Sequence, residues 1–358
     1  MEVDILKFVP KRIDHRDIFV EFTGDLYKLN CNKIRPPSPI KLRKKIKINK
    51  NLLEIVGLYF GDGANSKSGS GNRRVALANS CVYLQRFWIQ FLNDLGIKKE
   101  QLYFQIQVGN NNLFSDAELL SYWKNNLDVD KRRFCNISVK KDTKTIDYGL
   151  IVVNFHNKLF REIFDNIFSF CLNICKRDRS LAASFLRGLF AAEGYVHLNK
   201  YGSLAWLDIP VKDNKRRRYV GYLFDYLGIK VKSTNERILI TSYLNFKKCD
   251  SINLCDLHPN KLKNFEMGLN HLVTFGKVPI LSKLKIIASI SKYPKTRFQI
   301  AEENDLSISV VHKALRDLEI KKAVERVGKI HIESSLKPRD LWFLKDRISE
   351  CALMKRDY

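Results

Sequence analysis

Two acidic residues stand where a helix would not choose them. Asp62 ends the apolar run in EIVGLYFGDGAN, Glu54 to Asn65, and Glu193 ends the one in FLRGLFAAEGYV, Phe185 to Val196. Each follows hydrophobic residues at helical spacing and is followed at once by glycine. A carboxylate in the last turn opposes the helix dipole, which favours cations there by about 0.3–1 kcal/mol. The same unfavourable choice written twice implies a use for the carboxylates. Two such groups held together repel, and one protonates unless a cation shares the site. A divalent ion that prefers hard oxygen ligands, Mg2+ or Mn2+, meets that need.

The acids belong to a duplicated unit. Aligned on them, Gly57 matches Gly188, Leu58 matches Leu189, Gly61 matches Ala192 and Gly63 matches Gly194. Farther on, FLNDLGIK at Phe91–Lys98 echoes LFDYLGIK at Leu223–Lys230, and the spacing from acid to the second glycine is 34 residues in one copy and 35 in the other. Each copy is expected to open with a helix, about 51–63 and 180–193, ending at Gly as the usual residue after a helix C-terminus. Strand-like runs follow (RRVALANS; GYVHL and SLAWLDIPV), then a helix ending at LGI, then further strands. Apolar helices close the copies, the second near Asn245–Leu257. Copy one carries an insertion of about 99–150, including a helix in AELLSYWKNN.

Gly57 and Gly61 are four apart and share one helix face, as do Gly188 and Ala192. Small residues at this spacing let two helix backbones approach closely, which offsets the roughly 1 kcal/mol that an interior glycine costs against alanine. The first helices are therefore expected to pair about a pseudo-twofold axis, with Asp62 and Glu193 side by side at one end.

Composition narrows the partner. The 358 residues contain 63 Lys and Arg against 38 Asp and Glu, a formal charge of +25. This excess favours a polyanion, held through counterion release, and nucleic acid over an inert basic surface. No run approaches the roughly 20 apolar residues of a membrane span, and the N-terminus lacks a signal-peptide core; a soluble, intracellular protein is expected. Eight scattered cysteines without a CxxC pair suggest reduced thiols, with neither zinc nor disulfides.

The paired motifs, VGLYFGDGA and LRGLFAAEG, resemble those of the LAGLIDADG homing endonucleases in their monomeric two-repeat form, over about residues 50–257. The second matches closely; the first departs at Phe60 and Gly61. The resemblance implies an α+β fold in which two pseudo-twofold-related αββαββα repeats form a saddle over double-stranded DNA. It implies that Asp62 and Glu193, with the carbonyls of Gly61 and Ala192, bind Mg2+ or Mn2+ and cut both strands of a long, pseudo-symmetric target, leaving 3′ overhangs. A basic residue near each acid belongs to this picture; Lys212 is the candidate in copy two, and its counterpart in copy one is Ser80. Arg73, Arg74, Lys140, Lys141, Arg216, Lys230 and Lys232 would contact DNA. His156 and His197 have no metal-binding partner spacing, although His197 is a neighbour of Glu193 in sequence.

Outside the repeats, residues 1–50 read as a strand-containing extension and a basic connector, RPPSPIKLRKKIKINKN. The repeats are expected at 51–178 and 179–278, and a winged helix-turn-helix domain at 279–358. Three helices (LSKLKIIASISKYP, TRFQIAEENDL, SISVVHKALRDLEI) precede an alternating stretch with Gly328 at its turn, and KPRDLWFLKDRI is expected to form a closing helix. Val311, Leu315 and Leu318 suit the buried face of the third helix; Ser307, Ser309, His312, Lys313 and Arg316 would face a major groove, with Lys321, Lys322 and Lys329 on the wing. Two other functions fit the sequence: a DNA-binding regulator that does not cut, and an intron maturase acting on structured RNA. Acids in both motifs favour the enzyme over the regulator. The first residues, Met-Glu, and the last, LMKRDY, show no protein-splicing junction, so a free-standing protein is expected.

Overall fold

The computed structural model describes residues 1–13, 15–31, 39–63, 74–140, 147–276, 280–291, 293–330 and 339–344. The chain divides into two units, Met1–Asn270 and His271–Tyr358. Helices in chain order are α1 (Lys50–Asp62), α2 (Val82–Asp94), α3 (Asp116–Leu127), α4 (Lys158–Cys175), α5 (Arg179–Glu193), α6 (Asn214–Tyr226), α7 (Tyr243–Ser251), α8 (Pro259–Gly276), α9 (Ile280–Ile290), α10 (Arg297–Glu303) and α11 (Ile308–Ile320). Among the described residues no helix is long and apolar enough to cross a membrane.

The first unit is built round α1 and α5. Each begins at an N-cap side chain that accepts a backbone N–H, Asn49 from Leu52 at 3.0 Å and Asp178 from Leu181 at 3.0 Å. The backbones then touch. A Cβ on Gly57 would stand 2.0 Å from the Phe185 carbonyl oxygen, and one on Gly188 would stand 1.9 Å from that of Glu54. On Gly61 it would meet the Ala192 Cβ at 2.6 Å. Small residues thus set the interaxial distance, and Leu53, Val56, Phe185 and Leu189 fill the flanks.

One ion pair is buried in this contact. Arg187 Nη2 lies 2.8 Å from Glu54 Oε1, with the side chains 14% and 13% exposed. Burial raises the Glu54 pKa and the Arg187 charge opposes that rise. Breaking one side of such a pair strands a charge, so Arg187→Met is expected to cost about 3–5 kcal/mol. Adding Glu54→Leu to it should recover most of that loss in chemical denaturation.

The second repeat follows the αββαββα order: α5, Tyr195–Leu198, Leu204–Pro210, α6, Val231–Ser233, Arg237–Ile240, α7. Its four strands form an antiparallel sheet in which Leu204–Pro210 pairs with Tyr195–Leu198 on one side and Arg237–Ile240 on the other. The first repeat has the same frame, with Arg74–Asn79 beside Leu150–His156 beside Tyr103–Gly109. Its insertion supplies α3 and the edge strand Phe134–Lys140, which runs parallel to Tyr103–Gly109. A parallel neighbour needs a crossover, and α3 provides it.

Four local expectations are corrected. Gly63 and Gly194 follow their helices with φ of −71° and −69°, so neither takes the left-handed conformation. Glycine is required for space: a Cβ would lie 2.3 Å from the Tyr59 carbonyl oxygen or 2.4 Å from the Phe190 ring. The basic stretch before α1 is no loose connector. Ile40–Arg43 and Lys45–Lys47 are strands that bury Ile40, Leu42, Ile46 and Ile48 and turn Lys41, Arg43, Lys45 and Lys47 outward. The Arg43 N–H donates to the Leu95 carbonyl at 2.9 Å, which ties this extension to the end of α2.

The other two lie in the second unit. There α9, α10 and α11 surround Ile286, Ile290, Ile300, Val311, Leu315, Leu318 and Trp342. A three-stranded antiparallel sheet completes it, in the order Lys295–Thr296, Arg339–Leu344, Val324–Ile330. Gly328 is inside a strand, at a register shift, and not at a turn. Arg339–Leu344, expected in a closing helix, is a strand, because its backbone pairs on both sides and Trp342 enters the core. Residues 345–358 lie outside the described residues.

Candidate metal centre and nucleic-acid interface

Because α1 and α5 are held at glycine contact, their last residues come together. The Gly61 Cβ position is 2.8 Å from Glu193 Cγ. Burial, the largest cause, and the nearby Glu193 charge push the Asp62 carboxyl up to about 7. Burial raises Glu193 as well, against the charges of Lys261 and Lys212. Two carboxylates and two negative helix termini thus share one partly buried place.

The surrounding residues answer that charge unequally. Asn79, the last residue of its strand, donates from Nδ2 to Asp62 Oδ2 at 2.6 Å and accepts from the Cys81 N–H at 2.7 Å, so one Asp62 oxygen is fixed by a neutral amide. At the end of α5, Lys261 of α8 donates from Nζ to the carbonyls of Phe190, Ala191 and Ala192 at 3.0, 2.7 and 3.1 Å. Its charge is felt by both carboxylates, and burial lowers its own pKa to about 8. At the end of α1, Arg216 donates from Nη1 to the Phe60 carbonyl at 3.1 Å and stacks on the Phe60 ring at 4.6 Å.

Neither Lys261 nor Asn79 stood out in the sequence. Lys261 lies on a helix beyond the repeated unit, far along the chain from the acids. Asn79 precedes Ser80, the position aligned with Lys212, and its own counterpart is Val211, which donates nothing from its side chain. Lys212 itself is exposed, with its charge within reach of Glu193. Arg216, expected on DNA, is engaged with the end of α1. His197 is turned to another group: its Nε2 is 3.0 Å from Asp208 Oδ1, Arg237 Nη1 donates to Asp208 Oδ2 at 2.9 Å, and the imidazole stacks on Trp206 at 4.7 Å.

The donor set suits a hard divalent ion. Among the described residues no cluster of three His, Cys, Asp or Glu could hold a metal; an ion at the acid pair would need further oxygen ligands, from carbonyls, water or a phosphate. The Gly61 carbonyl stands beside Asp62 in the chain, and that of Ala192 beside Glu193. Two adjacent carboxyls, both raised by burial and Asp62 raised further by the Glu193 charge, are the observation that fits an ion to this place.

The sheets present the second half of the site. Successive strand side chains point to opposite faces, and in both sheets one face is packed on helices while the other carries polar side chains among apolar ones such as Ala76, Ala78, Val152 and Leu239. In the first sheet Val75, Leu77, Ile151, Val153, Phe104 and Ile106 are buried. The opposite face carries Arg74, His156, Tyr103, Gln105, Gln107, Asn136, Ser138 and Lys140, matched across the strands. In the second sheet Tyr195, Asp208, Leu239 and Lys232 stand in one row, with Trp206 and Arg237 on the same face; Lys230 is exposed just before that strand. Arg73 and Lys141 lie outside the described residues. In the second unit Ser309, Lys313, Arg316 and Lys329 are exposed and His312 half-buried. A face of amides, imidazole, phenol and cations can donate to phosphates and to base edges alike.

No protein-family model and no curated protein sequence matches the chain. Among solved structures, it is similar to a variant of I-DmoI in complex with its target DNA in the presence of manganese, at 16% identity and a TM-score of 0.34, over 56% of this chain and 92% of that one. It is also similar to full-length DUF199/WhiA from Thermatoga maritima, at 14% identity and a TM-score of 0.37, over 77% and 93%. The N-terminal LAGLIDADG domain of DUF199/WhiA aligns at 13% identity and a TM-score of 0.32, over 58% and 86%. The fold stated above rests on the chain's own helices and sheets.

Proposed function

We propose that the chain is a divalent-metal-dependent endonuclease that binds double-stranded DNA and cuts both strands, working as a monomer because each half of the centre comes from one of its repeats. The observation that carries this reading is the meeting of Asp62 and Glu193 at the glycine-packed ends of α1 and α5. Nothing in a purely structural helix pair calls for two mutually repelling, half-buried carboxylates.

Asp62 and Glu193, with the carbonyls of Gly61 and Ala192, would hold the ion. Bound there, Mg2+ or Mn2+ would supply Lewis-acid stabilisation of the negative charge that develops at a phosphodiester. Asn79 orients the Asp62 carboxylate, and Lys212, exposed with its charge acting on Glu193, would attract a phosphate. The polar sheet faces would follow the duplex and read its base edges. The three helices and three-stranded sheet of the second unit support a winged-helix reading, with α11 as the helix that enters a major groove.

Two measurements test this reading. In a plasmid library of random targets with Mg2+, double-strand cutting at a rare sequence is expected; tight DNA binding without cutting in any divalent metal would contradict it. Lys313→Ala and Arg316→Ala should each weaken binding across sequences and lower the slope of log K against log salt by about 1. Unchanged slopes in filter binding would remove α11 from the interface.

A second reading, a DNA-binding protein that does not cut, is favoured by one observation. Lys261 already donates to the Ala192 carbonyl, one of the oxygens an ion would need.

A further inference from the structure

Lys261 is placed as no surface lysine would be. Its Nζ donates to the last three carbonyls before Glu193, and the side chain crosses the Phe190 ring, 5.9 Å from its centroid. All three donor positions of an ammonium are spent on these oxygens. The opposite half of the centre differs. Asp62 is met by a neutral amide, and Arg216 reaches the Phe60 carbonyl, one residue short of Gly61. So the Lys261 ammonium makes its hydrogen bonds only in the Ala192–Glu193 half, while its charge reaches Asp62 without a hydrogen bond and the amide of Asn79 is the group that donates to Asp62.

We propose that Lys261 is a tethered counter-ion that competes with divalent metal for the Ala192–Glu193 half of the centre. The inference rests on the reading of the acid pair as a metal site. Its chemistry is simple exchange. An ion that takes the Ala192 carbonyl must displace one ammonium hydrogen bond, and it enters a place whose negative charge is already partly cancelled. With Lys261 in position the carboxylate pair survives without metal, and the two halves bind metal unequally.

Binding of Mn2+ to the full chain, followed by electron paramagnetic resonance and by calorimetry, tests this directly. Lys261→Met removes the charge and the hydrogen bonds; Lys261→Gln removes the charge and keeps an amide donor, which guards against a variant that fails to fold. Both are expected to bind at least one Mn2+ tenfold or more tightly than the natural chain, whereas Lys261→Arg should stay within about threefold of it. Met and Gln variants that fold, by circular dichroism, and bind Mn2+ no more tightly would overturn the proposal, as would equal tightening by Arg. The cutting assay is independent. Tightened Mn2+ binding with no cutting by any variant leaves this inference standing and retires the endonuclease reading; cutting with unaltered Mn2+ affinity does the reverse.

Discussion

Gly188→Ala is expected to destabilise the first unit by about 3 kcal/mol or more, and Gly57→Ala by a similar amount. The new Cβ would lie 1.9 Å from the Glu54 carbonyl oxygen in one case and 2.0 Å from that of Phe185 in the other. These obstacles are backbone atoms, so no rotamer change relieves them, and the helices must separate. Overpacking of an ordinary core costs about 1–3 kcal/mol; a backbone clash that pries apart the central pair belongs at or above the top of that range. Gly221 is the internal control. It sits within α6, and a Cβ there meets nothing within 4 Å. Gly221→Ala should therefore stabilise the chain by up to about 1 kcal/mol through helix propensity alone. Denaturant midpoints followed by tryptophan fluorescence distinguish the two cases, since Trp88 is fully buried in the same unit. Similar values for Gly188 and Gly221 would refute the glycine contact as the element that joins the repeats.

The second large effect is on pH dependence. The Asp62 carboxyl stands at about 7 in the folded chain against an ordinary value of 3.8. Between these pH values the folded chain holds a proton that the unfolded chain has released. Stability therefore falls as pH rises from about 4 to about 7, and levels off above. A displacement of this size is worth up to about 4 kcal/mol, and access of water reduces the expected fall to about 2 kcal/mol. Glu193 is raised too and acts in the same direction. Lys261 acts from the other side. Its pKa is lowered from 10.5 to about 8, so between those values the folded chain has released a proton that the unfolded chain keeps, and stability rises with pH. The result is a trough of stability near pH 7–8. The comparison to make is the natural chain against Asp62→Asn, so that the general repulsion of a +25 chain cancels. The variant should lose most of the fall between pH 4 and 7. Added Mg2+ should raise the melting temperature of the natural chain more at pH 7.5 than at pH 5, because protons no longer compete for the carboxylates. A flat difference between the two chains would contradict the electrostatics of the pair.

The features that were legible in the sequence are those written twice. Gly57 with Gly188, Asp62 with Glu193, and the recurring LGI at nearly equal spacing identify a duplicated unit, because helix and strand periods and small-residue faces are local properties of a chain. Lys261 was not legible, since its partners are backbone carbonyls, which carry no sequence signature, and its helix follows the repeat. Asn79 was hidden for a related reason: the equivalent place in the second repeat is Val211, so duplication gives no hint of it. The strand Arg339–Leu344 could not be told from a helix by its apolar residues alone, for a six-residue run fits either period. Only its pairing with Lys295–Thr296 and Val324–Ile330 decides. The alternation of Ile40, Leu42, Ile46 and Ile48 with basic residues is a strand pattern, but the adjoining prolines and the density of charge equally suit a solvated connector, and only the burial of the isoleucines and Leu42 separates the two.

If the proposed function holds, Asp62 and Glu193 each serve one strand of the same duplex. Strand-resolved cleavage of an end-labelled target, selected from the plasmid library and incubated with Mg2+, tests it most directly. The natural chain should cut both strands, Asp62→Asn and Glu193→Gln should each cut no more than one, and the double variant should cut neither while binding the target as before. If either single variant still cuts both strands at the natural rate, the two carboxylates do not form the cleavage centre.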